Sequence, residues 1–268
     1  MLIPDLFDFA YVPDWYGQLE ELAQMALPEP WKFRKPANET KNQDTPILER
    51  YIHIIFRKQA IDNNSTKDTK KAEQLFHVEN EHACFHTGLY NSRYKGIYAF
   101  FDRNHKKESM LEWYFWGFCD ELSPRLKYIQ PLPQKPSYYM AQRGAGFNPD
   151  WPIRVKVEHI LGDEENLERI PARIRKAKNL PLLFETAVEL GRRRAVVEPG
   201  IVVPQGYQGK IQYLLPVYLT NMKKPDLAMT LSVMDGYYLG HTCLTLEMSY
   251  LNARVIARPL APWLTELV

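Results

Sequence analysis

Cysteine is scarce in this 268-residue chain: Cys84, Cys119 and Cys243 are all there is. An odd number at wide spacing is not a disulfide framework, and no CxxC pair offers a zinc ribbon. An excess of one charge is missing too. Thirty-four Lys and Arg oppose 32 Asp and Glu, a net of +2, which excludes a histone-like protein but leaves local basic patches open. No apolar run approaches the roughly 18 residues of a membrane span, so no membrane partner is expected. Met1–Asp5 carries neither a basic n-region nor an apolar h-region, so a cytoplasmic location is expected. The phosphate cradles GxGxxG and GxxxxGK(S/T) are absent, as are HExxH and GxSxG. The common nucleotide-hydrolase and metalloprotease classes thereby lose their support.

Aromatic residues, by contrast, are plentiful. There are 16 Tyr, 12 Phe and 6 Trp. A buried tyrosine hydroxyl needs a partner, so this many tyrosines predicts that some line a surface. With 45% apolar and 25% charged residues, the chain is an ordinary globular one.

Leu19, Leu22, Ala23 and Ala26 give a short helix at 14–26, stopped by Pro28 and Pro30. Thr45-Pro46 opens a second helix, ending near Ala60. His77–His86 reads as a strand, as do Ile97–Phe101 and Trp113–Phe118. Prolines at 124, 131, 133, 136, 149 and 152 predict an irregular stretch over 124–152. Ile153, Val155 and Val157 alternate, predicting a strand that ends at His159–Leu161. A helix is expected over 180–194. Four strands follow, at Ala195–Val203, Lys210–Leu219, Leu227–Met234 and Tyr237–Leu246, then a helix at Met248–Ile256. Asp235-Gly236 predicts a type I′ hairpin turn. The expected fold class is therefore α+β, a mostly antiparallel sheet or partly closed barrel with a C-terminal β-hairpin and flanking helices.

Several constellations could carry chemistry. His77, Glu79 and Glu81 would share one side of a strand, and His82, Cys84 and His86 the other. Same-face residues on one strand lie nearly 7 Å apart, so neither trio is assigned a metal; a polar sheet edge is the alternative. Arg169–Lys178 is either a phosphate-gripping patch or a solvated helix face damped by Glu164, Glu165 and Glu168. Pro204–Lys210 joins two strands and offers Gln205, Tyr207 and Lys210 at a loop tip, for recognition or for the turn alone. Tyr250 and Arg254 share a helix face, and with Glu247 they form either an anchoring network or a ligand site; Asn252 points elsewhere on a regular helix. His159, at a strand end, is a better acid–base candidate than His241 in mid-strand.

Phe85-His-Thr-Gly-Leu-Tyr90, Ile97–Phe101, Val157–Leu161, Gly209–Pro216 and Leu244–Pro259 occur in an order that resembles the microbial family called domain of unknown function thirty-eight twenty-five, over roughly residues 45–264. The resemblance implies no particular reaction or cofactor. It implies an association with RNA-related domain partners. It also implies one domain over 46–268, with 124–152 as an internal loop and 1–45 as a lead-in packed on the body. The family carries Asn before Thr-Gly-Leu, where this chain has His86.

Three functions remain open. The leading one is an RNA- or nucleotide-binding domain. It would stack bases on Tyr90 or Tyr207 and meet phosphates with Arg254 and Arg258, helped by Gln205, Lys210 and Asn252. The second is an enzyme acting on a phosphoester or nucleotide, with His159 or His86 as acid or base. The third is a protein-interaction module, such as a homo-oligomer formed through the aromatic runs 97–101 and 113–118.

Overall fold

A computed structural model describes residues 3–32, 45–68, 74–79, 81–106, 110–135, 146–207 and 210–265. Two compact units divide the chain, Met1–Pro136 and Ser137–Val268. Each has its own five-stranded sheet. The fold class is α+β, and both sheets are mostly antiparallel. Neither closes into a barrel, because each ends in two distinct edge strands.

The N-terminal unit holds helices α1 (Leu6–Phe9), α2 (Trp15–Met25) and α3 (Pro46–Ser65). Its strands are β1 (Ala10–Tyr11), β2 (His77–Val78), β3 (His82–Tyr90), β4 (Gly96–Arg103) and β5 (Trp113–Asp120), in the order β1-β5-β4-β3-β2. Only β1 runs parallel to its neighbour. Asp14 caps α2 by accepting from the Gly17 amide, and Pro46 opens α3 without a side-chain cap from Thr45. One sheet face packs on the helices through an aromatic core. The Phe9 ring lies 5.3–5.8 Å from Phe56, Phe76, Phe101 and Trp113. The aromatic runs thus serve mainly as core: Ile97–Phe101 is wholly buried, and of Trp113–Phe118 only Trp116 is exposed. The expected single strand His77–His86 is two antiparallel strands, pairing His77 with Cys84. His82, Cys84 and His86 do share a face, but Leu126, Ile129 and Leu132 cover Cys84. Those covering residues include a 3-10 helix at Pro124–Tyr128 inside the stretch expected to be irregular. Proline at its first position supplies a suitable φ and needs no amide partner there.

Alternation in β5 is broken by a bulge. Phe100 pairs with Gly117 and Phe101 with Phe115, so Trp116 is an extra residue. Gly117 takes φ +143° to allow it, and a Cβ there would meet Gln18 Oε1 at 2.7 Å.

The C-terminal unit holds β6 (Ile153–Val155), α4 (Val157–Gly162), α5 (Glu164–Arg169), α6 (Ala172–Arg175) and α7 (Leu180–Val197). Then come β7 (Val203–Tyr207), β8 (Lys210–Val217), β9 (Leu227–Val233), β10 (Tyr238–Leu244), α8 (Leu246–Arg254) and α9 (Pro262–Thr265). The sheet order is β6-β10-β9-β8-β7, with β6 parallel to β10. Phe184, Ala187 and Val188 of α7 share a core with Leu215, Val217, Met229, Leu231 and Cys243, which defines one buried sheet face.

Four local expectations are corrected in this unit. His159 does not end a strand; it lies on α4, because Val157, Ile160 and Leu161 also fit helical spacing. The expected strand at 195–203 is mostly helix, since α7 continues to Val197 and buries Ala195 in the core; tertiary packing overrides the β-branched pair. Gln205 and Tyr207 do not sit at a loop tip but on β7, opposite Gln212 and Lys210; Gln208 and Gly209 lie outside the described residues. The hairpin at Asp235-Gly236 forms, but only Gly236 has positive φ, so its turn is not type I′, which needs two such residues.

Candidate functional site

The second face of the C-terminal sheet bears a cavity of about 530 Å³. Its floor is polar because β7, β8, β9 and β10 each turn a hydrogen-bonding side chain to it: Gln205, Gln212, Thr230 and Thr242. These residues alternate with the apolar positions that face α7. Helix α8, capped by Thr245 accepting from the Met248 amide at 3.2 Å, adds Met248 and Asn252. Helices α4 and α5 add His159, Asn166 and Arg169.

Three amides run in a hydrogen-bonded line across the floor. Asn252 Nδ2 donates to Gln205 Oε1 at 3.0 Å. Gln205 Nε2 donates to Gln212 Oε1 at 2.9 Å, and Gln212 Nε2 to Ser232 Oγ at 3.0 Å. These bonds use one hydrogen of each amide nitrogen. Each side chain retains a second N–H, and Asn252 retains its carbonyl oxygen. Tyr207, 52% exposed, stands at the rim.

His241 owes its place to a second bulge. Gly240 pairs with Leu231 and Thr242 with Thr230, so His241 is the extra residue of β10. Bulges re-aim side chains in this way. Its Nδ1 lies 3.4 Å from the Leu239 carbonyl oxygen.

The helical wall is tied to β10. Asn166 Oδ1 accepts from Thr242 Oγ1 at 2.8 Å, Arg169 Nη1 at 3.1 Å and the Cys243 amide at 3.2 Å. Arg169 also donates to the Cys243 carbonyl at 2.8 Å and pairs with Glu165 at 3.1 Å. Arg175 donates to the carbonyls of Ile170 and Glu168. Two cations of the expected Arg169–Lys178 patch therefore hold backbone in place.

Of the residues singled out in the sequence, His159, Glu165, Arg169, Gln205, Tyr207, His241 and Asn252 meet at this cavity. Lys210 and Arg258 are exposed and outside its lining. Arg254 is buried with Tyr250 on the other side of α8 and does not line it; Asn252, expected to point elsewhere, is the helix residue that does. His86 and Tyr90 belong to the N-terminal unit. Among the described residues no three His, Cys, Asp or Glu side chains gather as a metal would require, and no helix is long and apolar enough to cross a membrane. Gln212, Thr230, Thr242 and Asn166 were not singled out. A lone polar residue inside an apolar strand, such as Gln212, was the available signal.

Residues 22–263 match the family model described as Domain of unknown function (DUF3825). The chain belongs to this family. No curated protein and no solved structure matches it. The DUF3825 segment around His86 is a tightly bonded kink in β3. Gln59 Nε2 donates to the His86 carbonyl at 2.9 Å, and Tyr51 Oη to the Thr87 carbonyl at 3.0 Å. His86 Nδ1 accepts from the Gly88 amide at 2.8 Å, a bond that an asparagine Oδ1 would also accept. Burial, with the Lys135 charge adding to it, pushes the His86 pKa down to about 4 against an opposing effect of Glu121. The ring is therefore neutral at pH 7.

Proposed function

We propose that the cavity binds a nucleobase, either of a free nucleotide or of an unpaired residue in single-stranded RNA. The observation that carries this reading is the amide line Asn252–Gln205–Gln212 on a rigid sheet floor beside the exposed Tyr207. Side-chain amides offer the paired donors and acceptors that match a base edge, and a tyrosine face supplies stacking. Asp163 and Glu165 also line the cavity and suit ribose hydroxyls or exocyclic amines better than phosphates. Arg169 is already engaged by backbone and Glu165. Base and ribose recognition therefore leads over the phosphate clamp expected from Arg254 and Arg258.

Calorimetric titration of the full chain with the four ribonucleoside monophosphates and with a short single-stranded RNA tests the proposal. Tyr207→Ala should weaken binding roughly 5- to 150-fold, the worth of one stacked base, and Asn252→Ala should alter the preference among bases. The absence of binding by every nucleotide and RNA at millimolar concentration defeats it. A second reading, hydrolysis or transfer at a phosphoester, is favoured by His159 and His241 lining one cavity. Inspecting the ligands after incubation tests it, with His159→Ala expected to abolish any turnover.

A further inference from the structure

The sheet of the N-terminal unit carries a second surface, unrelated to the cavity. Tyr11, Tyr114, Asp102 and His82 form one register row across β1, β5, β4 and β3. At strand spacings of about 4.8 Å the row spans roughly 14 Å. Trp116, the bulge residue, lies on the same face, 6.5 Å from Phe100, which in turn lies 5.3 Å from His82. Tyr128 stacks on His82 with its ring plane tilted by only 12°. The segment that buries Cys84 and Phe100 leaves this end of the face uncovered: Trp116 is 38% and Tyr128 68% exposed.

Every exposed ring here has a cation over it. Arg125 lies 3.6 Å above Trp116. Lys127 lies 4.5 Å from the Tyr128 ring. Lys106 sits between Tyr11 and Tyr114, at 4.9 and 4.8 Å. The one carboxylate in the row, Asp102, is held by His82 at 3.1 Å and Arg125 at 3.7 Å. Three cations therefore face a single carboxylate already engaged. A partly uncovered, mostly antiparallel sheet face with aromatic rings and an excess of positive charge suits a polyanion with flat, stackable units.

We propose that this face binds single-stranded nucleic acid. Two or three bases stack on Trp116, Tyr128 and the Tyr11–Tyr114 pair, and Lys106, Arg125 and Lys127 meet the phosphates. The Arg125 guanidinium is itself a flat surface on which a base can stack. The row's length matches the two or three bases that a sheet of four strands accommodates. The site is separate in sequence and in side chains from the nucleobase cavity.

The test is fluorescence anisotropy of the full chain with labelled twelve-residue oligo-U RNA and oligo-dT DNA. Three phosphate contacts predict a slope of about −2 in log K against log salt, or roughly 20-fold weaker binding at 200 than at 50 mM. Trp116→Ala and Tyr128→Ala should each weaken binding roughly 5- to 150-fold while circular dichroism stays unchanged, since both side chains are exposed. Lys127→Gln should reduce the slope by about 0.7. Tighter binding of RNA adds ribose 2′-hydroxyl contacts to the proposal; equal affinity assigns recognition to bases and phosphates alone, and both support it. Failure of both oligonucleotides to bind at 50 mM salt overturns it. So does binding that Tyr207→Ala abolishes and Trp116→Ala leaves intact, which places the oligonucleotide in the cavity instead. A dimer that Trp116→Ala dissociates, without oligonucleotide binding, overturns it in favour of contact between two copies.

Discussion

Replacing His86 with Asn should remove a specific acid sensitivity from the N-terminal unit. His86 is 4% exposed and faces Tyr90, Tyr98, Lys135 and Glu121. Its pKa stands at about 4 in the folded protein against 6.5 for a free imidazole. The unfolded chain therefore binds a proton that the folded chain refuses. Stability from this site is complete above pH 6.5, falls as pH drops from 6.5 to 4, and levels off below 4. A shift of that size corresponds to about 3 kcal/mol. His86→Asn keeps an acceptor for the Gly88 amide but cannot titrate. Urea unfolding followed by tryptophan fluorescence reports on this unit, which contains Trp15, Trp31, Trp113 and Trp116. The wild type should lose about 3 kcal/mol more than the variant between pH 7 and pH 4. His53, whose pKa burial also lowers, contributes equally to both proteins and cancels in the comparison. Equal pH slopes for the two proteins would refute the assignment of a neutral, acceptor imidazole at this site.

Phe9→Ala should destabilise the N-terminal unit by about 3–5 kcal/mol, because the ring is 3% exposed and central to the aromatic core; thermal unfolding measures this. Asn166→Ala leaves the Thr242 hydroxyl, the Cys243 amide and one Arg169 donor without their shared acceptor. It should cost roughly 1–3 kcal/mol or more by urea unfolding and weaken ligand binding at the cavity that its helix walls. All three cysteines are buried, and burial raises their thiol pKa values, Cys119 to about 11 and Cys243 to about 12. A disulfide reagent at pH 8 should therefore label none of them in the native protein and all three in denaturant.

The outline of the fold was legible where a periodic apolar pattern met an unambiguous stop signal. Pro46 and the apolar positions Ile47, Tyr51 and Ile55 marked α3, and Asp235-Gly236 marked the β9–β10 hairpin. Legibility failed where short apolar runs fit both periods, as at Val157–Leu161 and Ala195–Val203. The division at Pro136/Ser137 falls inside the proline-rich stretch that composition picked out. At the cavity, Gln205 and Tyr207 were picked out as residues of a loop tip, and Asn252 from the helix turn that carries Tyr250 and Arg254. The floor was not, because Gln212, Thr230 and Thr242 come together only through the register of β8, β9 and β10. Trp116 was hidden for a related reason: nothing in Trp-Tyr-Phe-Trp-Gly-Phe says which ring is the extra one.

The two bulges have a consequence for how each strand tolerates change in length. In β5, Trp113 and Phe115 reach the helix-facing core before Trp116, and Phe118 reaches it afterwards. Odd positions point inward on one side of the extra residue and an even position on the other. Trp116 therefore acts as a phase shifter. Deleting it would join Phe115 directly to Gly117 and restore a continuous ladder opposite Phe101 and Phe100, with Phe115 and Phe118 still turned to the core. The same logic holds for His241 in β10, where Gly240 and Thr242 pair on opposite sides of the slip. At both places the extra residue is one the ladder can close without, so the pairing of the core demands neither its presence nor its identity, and both are left to function.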